Sequence, residues 1–139
     1  MATAPDTSNW DTAKVRAMHN MFYYCTSMAT APDTTNWDTS LVVTMDRMFY
    51  NCDGFETIDL TGLDFPLVAD MANFLGATYI DVASYDGLLN TIAGQAPNIQ
   101  SNVTLDGGTS KYSTNAVTAR ATLTNTNTYN WTINDGGLE

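Results

Sequence analysis

A chain of 139 residues that is 44% hydrophobic can bury one sizeable core and falls in the size range of a single domain. Five basic residues against fifteen acidic ones give a formal charge of -10, which repels phosphate backbones and anionic bilayers and so argues against nucleic acid or a membrane surface as partner. No apolar run approaches the roughly 18 to 20 residues of a membrane-spanning helix, and the N-terminus lacks the basic-then-apolar pattern of a signal peptide, so no membrane insertion is expected.

The chain opens on MATAPDTSNWDT, and MATAPDTTNWDT recurs at residue 28. A shift of 27 aligns residues 1–25 with 28–52, and 17 of the 25 pairs are identical. The shared apolar pairs are Trp10/Trp37, Val15/Val42, Met18/Met45, Met21/Met48, Phe22/Phe49 and Cys25/Cys52. Within a copy, Val, Met, Met, Phe and Cys fall at i, i+3, i+6, i+7 and i+10, a spacing that predicts one helix per copy. Asp11, Asp38 and Asp64 stand just before that stripe, where a carboxylate or the neighbouring Thr12 or Thr39 would cap the helix.

A third copy follows at a spacing of 26, with Leu63, Val68, Met71, Phe74 and Leu75 in the Trp, Val, Met, Met and Phe slots and Pro66 in the expected first helical turn. FETIDLTGL at 55–63 alternates as a short strand would, whereas the Pro-bearing stretches before the earlier copies suggest extended chain. After Leu75 the period fails. The tail reads as a short helix over 85–94, a strand at 102–106, an Asp106-Gly107-Gly108 turn, a helix capped by Ser113 or Thr114 and running to Leu123, and a final strand at 130–134.

One helix and one extended segment per 26 or 27 residues cannot bury an apolar face alone, so the copies are expected to stack with equivalent residues in columns. The fold class is thus α/β: a short leucine-rich-repeat-like solenoid of about three coils over residues 1–76 (1–27, 28–54, 55–76), closed by a capping segment over 77–139. At the other end, the Trp10, Met18 and Phe22 layer has no obvious cover and forms a candidate stacking edge. Either further repeats precede it or another subunit stacks there.

NWDTSLVVTMDRMFYNCDGF at 36–55 and NWDTAKVRAMHNMFYYCTSM at 9–28 resemble the repeats of BspA-like bacterial surface proteins, whose pattern is W-D-T-S-x-V-x-x-M-x-x-M-F. The fit is weakest at 56–66, where that signature has become LDFP, and the tail resembles segments that close such arrays. The resemblance implies a secreted or surface-displayed solenoid used in adhesion or recognition, without catalytic apparatus. It carries over no ligand residue.

Few residues suggest chemistry. Cys25 and Cys52 would lie one coil apart, within disulfide reach, but their slot on the buried stripe suits small apolar thiols. His19, the only histidine, shares its slot with Asp46 on the polar side, and neither a G-x-S-x-G elbow nor a Cys-His signature accompanies it. A carboxylate pair for glycoside hydrolysis cannot be placed from sequence, and the DGG strings read as turns rather than calcium loops. No catalytic residue, metal or cofactor is therefore assigned. Tyr23, Tyr24 and Tyr50 flank the stripe and are the candidate partner contacts. The expected function is a non-enzymatic extracellular recognition or adhesion module, binding a protein or glycan surface. The alternative is a structural component of a virion, filament or surface layer, stacking on neighbouring copies of itself through its first coil.

Overall fold

The structure, a computed structural model, describes residues 2–139; Met1, the first residue of the anticipated 1–76 repeat block, lies outside them. The protein is a small α/β fold. Its regular elements all fall late in the chain: α1 (Val82–Gly94), β1 (Thr104–Asp106), a 3-10 turn (Thr114–Ala116), α2 (Val117–Thr124) and β2 (Thr132–Asn134). β1 and β2 pair in parallel with Thr104 opposite Thr132 and Asp106 opposite Asn134.

The repeat copies hold no helix, which corrects the reading of their 3-residue spacing. In each copy a left-handed residue recurs every four positions, at Asn20 and Tyr24, Arg47 and Asn51, and Asn73 and Ala77, with φ between 52° and 59°. A left-handed residue breaks an α-helix wherever it occurs. The chain instead makes overlapping turns, in which Met48 N–H donates to Met45 C=O, Tyr50 to Arg47, Phe74 to Met71 and Gly76 to Asn73. Such turns bring a side chain back to the core every three or four residues, as a helix does, and so leave the same apolar pattern. The short strand anticipated at 55–63 is absent as well, although Ile58 and Leu60 are buried.

The anticipated caps change role with the helices. The Asp38 carboxylate accepts from the Ser40 N–H and hydroxyl at 2.9 and 2.6 Å, and Asp11 accepts from the Ala13 N–H at 3.2 Å. These are two-residue side-chain turns. Asp64 takes part through its backbone, donating to Thr39 Oγ1 at 2.8 Å while its C=O accepts from that hydroxyl at 2.7 Å.

Backbone bonds then join each copy to the next. Met18, Asn20, Phe22 and Tyr24 donate to the carbonyls of Thr44, Asp46, Met48 and Tyr50 at 2.8 to 3.0 Å; Met45, Arg47, Phe49 and Asn51 donate in turn to Asp70, Ala72, Phe74 and Gly76. Parallel bridges Ala17–Thr44 and Thr44–Asp70 mark the same register. Buried threonines add rungs: Thr34 Oγ1 donates to Asp59 C=O at 2.9 Å, and Thr78 Oγ1 donates to Phe49 C=O at 2.6 Å while accepting from Cys52 N–H. Asparagine at five of the eight left-handed non-glycine positions fits the tolerance of its short amide for that region.

The pairing does not stop where the sequence period fails. Met71 N–H donates to Thr104 C=O, Leu75 to Asp106 and Gly107 to Asn134, so the parallel register passes into β1 and β2. α1 begins on Asp81, whose carboxylate accepts from Ser84 N–H at 2.8 Å. The Gln95 amide at its far end accepts from Phe65 N–H and donates to Leu63 C=O, both at 2.7 Å. One hydrophobic cluster runs from Met18 to Trp131.

Exposure differs along the stack in a way that sets the expected cost of truncation. Met18 and Met45 are both buried, at 3% and 0%. Met48 is buried completely, whereas its equivalent Met21 is only partly covered. Met48→Ala is expected to destabilise by ~2–5 kcal/mol and Met21→Ala by clearly less, while Met18→Ala and Met45→Ala cost similar amounts. Urea denaturation of the four variants under matched conditions measures this, and equal losses at 21 and 48 would show that the first copy is covered as fully as the second.

Candidate functional site

The three tyrosines singled out from sequence come together on one edge of the repeat turns. Tyr23 lies over Tyr50, one copy further on, with ring centroids 5.4 Å apart and planes at 21°; Tyr24 meets Tyr23 edge-on at 4.6 Å and Tyr50 at 5.7 Å. Tyr23 and Tyr24 are 45% and 55% exposed, and Tyr50 is half-buried beneath them. Their backbones are fixed, since Tyr24 N–H donates to Tyr50 C=O at 2.8 Å and Tyr23 N–H closes a turn on Asn20. The result is an aromatic ridge whose rings are ordered before any partner arrives.

The candidate stacking edge divides differently from expectation. Only Trp10 is open, at 41%, while Met18 and Phe22 are buried. The reason is a continuous aromatic stack: Trp10 lies 5.9 Å from Trp37 at 6°, Phe22 sits 6.3 Å from Trp37 at 8°, and Phe22 lies 5.4 Å from Phe49 at 2°. Phe22 therefore has an aromatic ring on either side, and Trp10 ends the row. The Trp37 indole N–H is buried without a hydrogen-bond partner in this stack.

Both cysteines are free thiols. The Cys52 thiol donates to Phe22 C=O at 2.8 Å, and burial pushes its pKa up to about 11, so it is protonated and a poor nucleophile at neutral pH. His19 is exposed. Among the described residues no group of three or more His, Cys, Asp or Glu side chains is arranged to hold a metal ion, and no helix is long and apolar enough to cross a membrane.

Sequence reasoning missed a polar cluster in the tail. The buried Tyr85 hydroxyl donates to Asp135 at 2.8 Å, and Arg120 Nε donates to the same carboxylate at 3.0 Å. Burial, and then the Asp135 charge, push the Tyr85 pKa up, which keeps the phenol neutral as a donor. Asp86, also buried, accepts from the Ser113 N–H and hydroxyl and ties α1 to the turn before α2. Tyr85 and Asp135 stand 50 residues apart, and no local spacing announces the pairing. All of these side chains satisfy one another, as a structural cluster does.

An acidic column runs along another edge. Asp6, Asp33 and Asp59 each accept from the hydroxyl and N–H two residues on, at Ser8, Thr35 and Thr61, with hydroxyl distances of 2.6 Å. The hydroxyl bonds first, and then the backbone bonds, hold all three carboxyls below the usual value.

The family described as "Mycoplasma protein of unknown function, DUF285" matches residues 2–85, more than half of the chain and all of the repeat region but its first residue. No curated protein matches the chain, and no solved structure does.

The acidic column contributes to the acid sensitivity of the fold, together with Asp38 and Asp81, whose carboxyls are also held below the usual value by hydrogen bonds from Ser40 and Ser84. A carboxyl whose folded pKa is depressed stabilises the folded state above its unfolded value, near 3.9 for Asp, and loses that contribution as pH falls through the folded value. Thermal melting should therefore be flat from about pH 7 to 5 and fall below about pH 4. Asp33→Asn, which keeps an acceptor for the turn, should reduce the slope of that fall; an unchanged slope would exclude Asp33 as a contributor.

Proposed function

The chain belongs to the DUF285 family, and we propose that it is a non-enzymatic recognition module acting at a cell surface or outside the cell. In this reading the copies form a leucine-rich-repeat-like solenoid of the BspA-like kind, with residues 77–139 as its closing segment. The observation that carries the proposal is the ridge of Tyr23, Tyr24 and Tyr50. Two exposed aromatic rings are held in place by inter-copy backbone bonds and by a third ring below them. Rigid tyrosines offer a large apolar face and a hydroxyl that hydrogen-bonds at its rim, and little conformational freedom is lost when they meet a partner. The partner is a protein or glycan surface; the charge of -10 disfavours strongly acidic ones. Support also comes from the slots that differ between copies, such as Lys14 and Leu41 or His19 and Asp46. They vary the surface while the apolar positions repeat.

The test is a glycan and extracellular-protein array probed with the whole chain. Tyr23→Ala combined with Tyr24→Ala should weaken any binding found by about tenfold or more while shifting the urea midpoint little, because both side chains are largely exposed. Binding indistinguishable from background across the array, or binding untouched by the double substitution, would overturn the assignment of the ridge.

A further inference from the structure

The two cysteines fill the same slot of adjoining copies, in the strings Tyr23-Tyr24-Cys25 and Tyr50-Asn51-Cys52. The backbone just ahead of them is already bonded in register, Tyr24 N–H to Tyr50 C=O at 2.8 Å. Chains paired in this way lie about 4.8 Å apart, and a disulfide spans Cα separations of about 4.4 to 6.8 Å. The side chains add a second observation. The Cys52 thiol crosses from the second copy to the first and donates to Phe22 C=O at 2.8 Å, and the same oxygen accepts from Cys25 N–H at 3.3 Å. Cys52 Sγ and the Cys25 amide thus share one acceptor, and the Cys25 side chain is among the groups that act on the Cys52 thiol.

We propose that Cys25 and Cys52 form a redox-sensitive pair: free thiols in reducing surroundings, and a disulfide joining the first and second copies when a small-molecule disulfide such as oxidised glutathione is present. Cys52 is fully buried, and burial pushes its pKa up to about 11, so the first attack falls to Cys25. The Cys25 thiolate bonds to one sulfur of the oxidant, whose S–S bond breaks, and one glutathione thiolate leaves. Cys52 then gives up its proton and attacks the Cys25 sulfur of that mixed disulfide, and the second glutathione thiolate leaves. Two protein thiols are oxidised, one glutathione disulfide is reduced, and the two thiol protons end on the two glutathiones.

The surrounding bonds survive the change. Oxidation removes the Cys52 S–H, but Phe22 C=O keeps the Cys25 N–H as donor, so no buried acceptor is left unpaired. The Cys52 N–H keeps its bond to Thr78 Oγ1 at 2.9 Å. The new bond closes the loop between residues 25 and 52, which limits the unfolded chain and so favours the folded one. Cys25 directly follows Tyr24, and Cys52 stands two residues after Tyr50, so the bond fastens together the backbones that carry the aromatic ridge. The inference rests on the placement of the thiols and not on what the ridge binds.

The test is incubation of the folded, reduced chain with excess oxidised glutathione at about pH 8, where thiolates form, followed by mass spectrometry of the intact chain and of its peptides. The expected product is a monomer lighter by two hydrogens, with a peptide link between Cys25 and Cys52 and no glutathione retained. Its urea midpoint should exceed that of the reduced chain and return on adding dithiothreitol. Cys52→Ala removes the second thiol at a slot that takes a small apolar side chain, and that variant should instead keep one glutathione, on Cys25. Any of three results would overturn the proposal: a glutathione adduct that persists on the unsubstituted chain, a disulfide formed only between two chains, or native thiols that stay free while those of the urea-unfolded chain oxidise. A linked chain that unfolds at lower urea than the reduced one would do so too, since the bond would then oppose the fold.

Discussion

The structure depends on one interaction, the peptide N–H of one copy bonded to the peptide C=O of a neighbouring copy in a shared parallel register. Met18 to Thr44, Met45 to Asp70 and Met71 to Thr104 form one such column, and Phe22 to Met48, Phe49 to Phe74, Leu75 to Asp106 and Gly107 to Asn134 form another. Each bond is worth about 1 kcal/mol net, so no single one holds the fold. Their shared register does, because it fixes which side chains lie above one another. Trp10 over Trp37, Phe22 over Phe49 and Tyr23 over Tyr50 are consequences of that register, as are the threonine rungs whose hydroxyls reach the neighbouring backbone.

Left-handed residues make the columns possible. A helix would use its N–H groups on itself, four residues back, and leave none for the neighbouring copy. Interrupting every fourth residue frees alternate peptides to point along the stack while the turns between them stay closed by local bonds. The same device places the apolar side chains inward and leaves Tyr23, Tyr24, His19 and Asn20 outward. The aromatic ridge is then a product of that backbone arrangement, arising where side chains at the turn corners face solvent.

Much of this was legible in the residues, and the failures have a common cause. The 27-residue shift identified the columns, since identity at Trp10/Trp37 and Phe22/Phe49 requires equivalent environments. Both tail helices and both tail strands lie close to the spans expected at 85–94, 102–106, 113–123 and 130–134, with Ser113 capping the second helical segment as expected, whereas the Asp81 cap of the first was not anticipated. The per-copy helix was misread because apolar periodicity records how often the chain returns to the core, not where its N–H groups go. Asn20, Asn51 and Asn73 carried the missing information, for asparagine in the left-handed region is a turn signal rather than a helix one. The tail's continuation of the parallel register was not legible at all. Segments of 34 and 28 residues separate Met71, Leu105 and Ile133, and a period that changes length while its residues change identity leaves no pattern to shift against.

Function on such a frame is confined by the same backbone. The Tyr85, Asp135 and Arg120 cluster and the Asp86 to Ser113 pair are spent on joining α1, α2 and β2, and the Cys52 thiol is buried against Phe22 C=O. What faces solvent is a set of columns in which a residue type recurs: carboxylates at Asp6, Asp33 and Asp59, and tyrosines at Tyr23 and Tyr50. The two columns differ in what they leave available. Each carboxylate of the acidic column is already bonded to the hydroxyl and N–H two residues on, so a ligand there must compete with a formed turn. The tyrosine rings compete with nothing, since their order comes from the backbone beneath them. Of these two columns, the aromatic ridge is the one that can gain a partner without first breaking a bond of its own.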